Sequence, residues 1–130
     1  AYSPDWFVTL GTIAQAPMPR QMQTLDGIDL IPELTGQAMP ERVEPMVWEF
    51  PEYGGYVAIR KGRWKAIRRG LKTDRPGAWE LYDLDLDGAE TKDLAADHPE
   101  LVQQLADYHS STRTVEPAFP LPIFDSGVGQ

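Results

Sequence analysis

The chain has 130 residues, 42% of them apolar, and a net charge of −8, which suits one modest domain or a piece of a larger protein. It contains no cysteine, so disulfides and thiolate zinc sites are excluded, and no run approaches the roughly 20 apolar residues of a membrane span. Twelve prolines and eleven glycines require several short elements joined by turns.

The opening "AYSPDWFVTL" goes straight into an apolar segment with no visible signal peptide and no methionine, as expected of a fragment or a processed chain. Ser3-Pro4 is a helix start, with serine as cap and proline in the first turn. Trp6, Leu10 and Ile13 share one side of that helix, Phe7 lies beside them, and Pro17-Met18-Pro19 ends it. A second short helix is expected in "DGIDLIPELTG", where Ile28, Ile31 and Leu34 share a side and Gly36 is the stop.

"PMVWEF", bounded by Pro45 and Pro51, is β-prone. "YVAIRKGRWKAIRR" is a hairpin with its tip at Lys61-Gly62, which would pair Arg60 with Arg63 and Ile59 with Trp64. Val57, Ile59, Trp64 and Ala66 then form a core face, and Ala58, Arg60, Arg63 and Lys65 a basic one. "AWELYDL" supplies a fourth strand after a turn at Arg75-Pro76-Gly77. In "HPELVQQLADYHS", Pro99 takes the first helical position and Leu101, Val102, Leu105 and Tyr108 line one side. The remainder is too proline-rich for regular structure and is expected to lie over a surface as a tail.

The fold class is α+β: a four-stranded antiparallel sheet over residues 45–84, packed by the helix from about Pro99 on the face carrying Ile59 and Trp64.

Two charge features raise functional questions. Eight of the twelve basic residues fall between Arg60 and Arg75, where the only acid is Asp74. Arg60, Arg63 and Lys65 projecting from one side would make a patch for an anionic ligand, against the plainer reading of a solvated hairpin face. Nucleic acid fits poorly, since the patch is short, the rest of the chain is acidic and no binding motif accompanies it. The acidic "YDLDLDGAETKDL" begins as a calcium loop does, with Asp83, Asp85, Asp87 and then Gly88. It fails at the twelfth position, which is Leu94 rather than a bidentate glutamate, and at the eighth, which is Glu90. Its flank "WELYDL" is a strand rather than an entering helix. An acidic turn without metal is the expectation.

Taken together, these segments resemble the C-terminal portion of a sulfatase of the alkaline-phosphatase superfamily, over residues 3 to 108. "SPDWFVTLGTIAQ" resembles the family's helix of aspartate, two apolar residues, Pro-Thr and leucines, with Val8 in place of the usual proline. "LDGIDLIPELTGQ" resembles "DGxSLxPxLxG", and "VWEFPEYGGYVAIRKGRWKAIR" is similar to the "WEF…GG…AVRxGxWK" hairpin. "ELYDLDLDGAETKDLAADHPELVQQL" is similar to "ELYDLxxDPxExxNLAxxxPexxxxL", with Gly88 where proline is usual. The resemblance explains the acidic stretch as a strand-to-helix turn, in which Asp87 accepts turn amides and Glu90 caps the next segment.

The resemblance also implies an organisation and a chemistry. Residues 1–40 would finish a larger catalytic α/β domain, 41–112 would form the C-terminal subdomain and 113–130 an extended tail. The parent would hydrolyse sulfate esters with a formylglycine made from a Cys/Ser-x-Pro-x-Arg motif beside Ca²⁺. No serine here is followed by x-Pro-x-Arg, and His98 and His109 are expected as cap or surface residues. No catalytic or metal residue is therefore carried onto this chain, which alone should be inactive, and no cofactor lies within it. The implied partners are the N-terminal catalytic domain and a sulfated sugar or aryl sulfate, with no nucleic acid and no membrane. The parent would be periplasmic or secreted. Substrate recognition would fall to Trp48 and Tyr53, stacking on a ring, and to Glu49 and Arg60, bonding hydroxyls or a second sulfate. The alternative is a stand-alone module that binds an anionic glycan without catalysis.

Overall fold

A computed structural model describes residues 2–17, 27–39 and 42–125. It divides into two compact units, Ala1–Arg42 and Val43–Gln130. Met18 and Pro19 of the expected helix stop, and the last five residues of the tail, lie outside the described residues.

In the first unit, helix α1 spans Ser3–Ile13 and the single turn α2 spans Ile31–Leu34. The N-cap of α1 is Tyr2 rather than Ser3, because Asp5 reaches back to accept the Tyr2 amide at 2.6 Å while the Asp5 amide donates to the Tyr2 carbonyl at 2.9 Å. The buried side of α1 is polar. Asp5 and Thr9 are buried, whereas Trp6, Phe7, Leu10 and Ile13 are exposed. Asp5 also accepts the Ile28 amide at 3.0 Å and pairs with Arg42. The Thr9 hydroxyl donates to the Asp5 carbonyl at 2.7 Å and accepts the Leu30 amide at 2.9 Å. Gly27 lies so close to the Pro4 carbonyl that a Cβ would overlap it. Asp29 accepts the Ile31 amide at 2.9 Å in a local turn just before α2, whose N-cap is Leu30, and Gly36 takes φ +76 where the helical turn ends, the left-handed stop expected of it.

The second unit is a four-stranded antiparallel sheet in the order β1 (Met46–Phe50), β2 (Tyr56–Lys61), β3 (Trp64–Arg69) and β4 (Trp79–Asp83), followed by helices α3 (Pro99–Thr112) and α4 (Pro122–Asp125). The expected sheet and packing helix are both present. The hairpin tip is at Gly62-Arg63, one residue beyond the expected place, so Ile59 pairs with Ala66 and Arg60 with Lys65. Gly62 takes φ +58 at the first tip position, as a mirror-image hairpin turn requires. Moving the tip by one residue moves each partner by two. The strand period is also two, so the faces are unchanged although the pairs differ.

Val57, Ile59, Ala66 and Leu81 form the core with Leu105 of α3, flanked by Val47, Trp64, Leu101 and Val102. Leu71 and Leu121, outside the strands and α3, are buried in the same core. Leu121 has no exposed surface. The described part of the segment after α3 thus contributes a core residue and includes a helical turn, where the proline content had suggested only a surface tail.

Candidate functional site

Alternation along the strands sends Glu49 to the helix-covered face, opposite Val57, and sends Trp48 and Arg60 to the other. The four residues expected to recognise substrate do not converge. Glu49 is held from two sides: His109 Nε2 and Arg113 Nε both lie 2.6 Å from its Oε1. Arg113 also reaches Asp125 at 2.5 Å, and Asp125 accepts the Leu121 amide at 2.8 Å. The result is a clasp that ties β1, the end of α3 and α4 together. His109 is 1% exposed, so it is neither a cap nor a surface residue as expected. Its ring meets Phe124 edge-on at 4.7 Å, and Nδ1 has no hydrogen-bond partner. Burial of Arg113 disfavours its charge, but the hydrogen bonds to Glu49 and Asp125 prevail and leave its pKa raised. His98 does serve as the N-cap of α3, without a side-chain capping bond; its ring packs edge-on against Trp64 at 5.0 Å.

The basic side of the hairpin is mostly neutralised. Arg63, carried in the turn rather than a strand, directs its guanidinium to Asp83 in a two-pronged bond, with Nε to Oδ1 at 2.7 Å. This hydrogen bond is the main reason the Asp83 carboxyl titrates below its usual range. Lys65 Nζ meets Glu90 at 2.5 Å, and Arg69 pairs with Glu80, which also accepts the Tyr82 hydroxyl at 2.6 Å. Arg60 remains exposed, its Nε donating to the Gly62 carbonyl at 3.2 Å. The expected row of Arg60, Arg63 and Lys65 is therefore reduced to Arg60, because each of the other two has found an acid from the β4 strand or the turn after it.

That turn behaves as an acidic turn. Asp87 accepts the amides of Lys92 at 2.8 Å and Thr91 at 2.7 Å, which hold its carboxyl below the usual range. Glu90 takes φ +56 and serves Lys65 instead of capping. Among the described residues no cluster of acids and histidines is arranged to hold a metal ion.

The side of the sheet opposite α3 carries Trp48, Phe50, Tyr56, Ala58, Arg60 and Leu84 around a groove of about 660 Å³. Tyr53 lies in the β1–β2 turn and is 91% exposed. The neighbouring β3–β4 loop is bonded to this turn: the Lys72 amide donates to the Gly54 carbonyl at 2.8 Å and the Leu71 amide to Gly55 at 3.0 Å. These surfaces have the means to bind rings and anions. No described helix is long and apolar enough to cross a membrane.

No protein-family profile matches the chain. Among curated proteins it is 45% identical to an uncharacterized sulfatase of Schizosaccharomyces pombe over 44% of its length. It is 32% identical to the choline-sulfatase of Rhizobium meliloti over 67%, and 29% identical to the N-acetylgalactosamine-6-O-sulfatase of Bacteroides thetaiotaomicron over 85%. The chain spans 10%, 16% and 23% of those three proteins. Its fold is shared with Ps i-CgsB, solved in complex with k-i-k-neocarrahexaose, at TM-score 0.68 and 22% identity, covering 82% of this chain and 23% of that one. A protein solved with its substrate D-glucosamine-2-N,6-O-disulfate matches at TM-score 0.62 and 21% identity, covering 83% and 23%. Similarity in sequence to named sulfatases, together with this shared fold, makes the chain a sulfatase homologue that corresponds to less than a quarter of the proteins it resembles.

Proposed function

We propose that the chain is the C-terminal region of an enzyme that hydrolyses sulfate esters, contributing structural support and substrate recognition while the reacting groups lie elsewhere in the protein. The observation that carries this is the match to choline-sulfatase over two thirds of the chain. The named relatives range from that enzyme to one acting on a 6-O-sulfated amino sugar, and we assign this protein a sulfated sugar or a small sulfate ester.

The residues present do not fit a formylglycine or its calcium ion. The chain has no cysteine and no serine in a Ser-x-Pro-x-Arg context. Asp83 and Asp87 are engaged by Arg63 and by turn amides. Both groups would belong to an N-terminal catalytic domain, the partner we assign to this chain. Each unit, taken separately, offers apolar surface for such a partner: Trp6, Leu10 and Ile13 on α1, and Trp48 and Phe50 on the open sheet face. We place the whole enzyme in the periplasm or outside the cell.

The reading frame upstream of residue 1 provides the test. It should encode a Cys/Ser-x-Pro-x-Arg motif, and the full-length protein, made with a formylglycine-generating system, should release sulfate from an aryl sulfate or a 6-O-sulfated sugar. The 130-residue chain alone should release none. A start codon close to residue 1 with no such motif would defeat the enzyme reading and leave an anionic-glycan binding module.

A further inference from the structure

Tyr53 combines exposure with backbone strain in a way that folding does not explain. Its φ is +51, in the left-handed region that disfavours residues with a Cβ and that glycine or asparagine occupies with less strain. The side chain is 91% exposed, so its burial contributes almost nothing to stability. The ring lies parallel to Phe50, with centroids 6.1 Å apart and planes within 3°, and Phe50 stacks in turn on Tyr56 at 5.2 Å. At 91% exposure nearly all of the Tyr53 ring is open to water.

The backbone that holds the ring is fixed by a second loop. Gly54 and Gly55, at φ +85 and +76, present their carbonyls to the amides of Lys72 and Leu71, and Leu71 is buried in the core. A Cβ on Gly55 would meet Lys72 Cγ at 3.2 Å, so the two loops touch closely. Lys72 and Arg75 are exposed, and neither belongs to an ion pair among the described residues. Glu52 and Asp74, in the same two loops and also exposed, are acceptors suited to hydroxyl groups.

We infer that Tyr53 is a stacking platform for the ring of an anionic saccharide, whose charge is met by Lys72 and Arg75 from the loop bonded to the same turn. An aromatic face takes the apolar face of a sugar ring, tyrosine loses little conformational freedom in doing so, and the ammonium and guanidinium select sulfate or carboxylate over a neutral sugar. The ligand class rests on the sulfate-ester reading above. The place rests on the turn itself and differs from the sheet face where Trp48 and Arg60 lie.

The test sets stability against binding in the 130-residue chain, with a heparin-derived hexasaccharide as probe and its desulfated form as control. Tyr53→Asn should raise the melting temperature while weakening hexasaccharide binding about five- to tenfold. Tyr53→Phe should bind as the parent does. Lys72→Gln should weaken binding and make it less sensitive to salt, and the desulfated probe should bind far more weakly than the sulfated one. Binding unchanged by Tyr53→Asn, or lost with Arg60→Glu but not with Lys72→Gln, would overturn the inference. Sulfate release by the full-length enzyme is scored separately. An active sulfatase whose saccharide binding ignores Tyr53 overturns only this inference. Tyr53-dependent binding in a protein without sulfatase activity sustains it and overturns the enzyme reading alone.

Discussion

Glu49 and His109 are sixty residues apart in the chain and 2.6 Å apart in the fold. Arg113 shares the same carboxylate oxygen, so removing Glu49 leaves the buried imidazole without its acceptor and the guanidinium with Asp125 alone. Glu49→Ala should cost about 1–3 kcal/mol, below the full penalty for breaking a buried pair because Glu49 is partly solvated. Urea unfolding measures it. A midpoint equal to the parent's would show that the clasp contributes nothing to stability.

Acid should unfold the protein for a reason that names its residues. Asp83 and Asp87 titrate below their usual range because Arg63 and the Lys92 and Thr91 amides hold the charged forms. Burial pushes Asp5 and Glu80 up, but hydrogen bonds to Ile28 and Arg42, and to Tyr82 and Arg69, leave both lowered. Each binds fewer protons folded than unfolded, so its stabilisation is present above the unfolded value of about 4 and is lost as pH falls through the folded value. The urea midpoint should be level above about pH 5 and drop below about pH 4, with a shallower drop in Asp83→Asn. A midpoint that rises on acidification contradicts the assignment.

Two glycines with the same sign of φ should respond differently to alanine. Gly62, at φ +58, has open space where a Cβ would stand, whereas a Cβ on Gly55 meets Lys72, Leu71 and Leu121 within 3.4 Å. Gly62→Ala should cost about 1 kcal/mol, the conformational penalty alone. Gly55→Ala should cost about 2–4 kcal/mol, because crowding against buried Leu71 and Leu121 adds to it. Equal melting temperatures for the two variants would show that the loop yields freely.

Calcium should leave the melting temperature unchanged at millimolar concentration, and Asp85→Asn should be silent in the same assay. Asp83 and Asp87 already have partners that a cation would have to displace. A clear stabilisation by Ca²⁺, abolished by Asp85→Asn, would mean that the turn rearranges to coordinate metal.

The sheet and its packing helix were legible because strand alternation and helical spacing are local signals. Val57, Ile59, Trp64 and Ala66 fall on the expected face even though the turn lies one residue later than its sequence suggests. The partners of Arg63 and Lys65 were not legible, since they come from Asp83 and Glu90, whose positions depend on the pairing of β3 with β4 and on the turn beyond. His109 sits in the last turn of a helix whose spacing gives no hint that α4 will cover it. The apolar spacing of α1 pointed to Trp6, Leu10 and Ile13 as its packed side. Hydrogen bonds of Asp5 and Thr9 to the segment Ile28–Leu30 decide instead, and only tertiary proximity shows them.

Leu121 gives the second unit a timetable. The strands and α3 all precede it, and a ribosome releases them first, yet the core they form stays incomplete until Leu121 enters and Asp125 meets Arg113. A nascent chain halted shortly after Thr112 would hold a sheet with a hole in its centre and an unclasped His109. A product truncated there would lack this core residue and would be the form that quality-control proteases recognise.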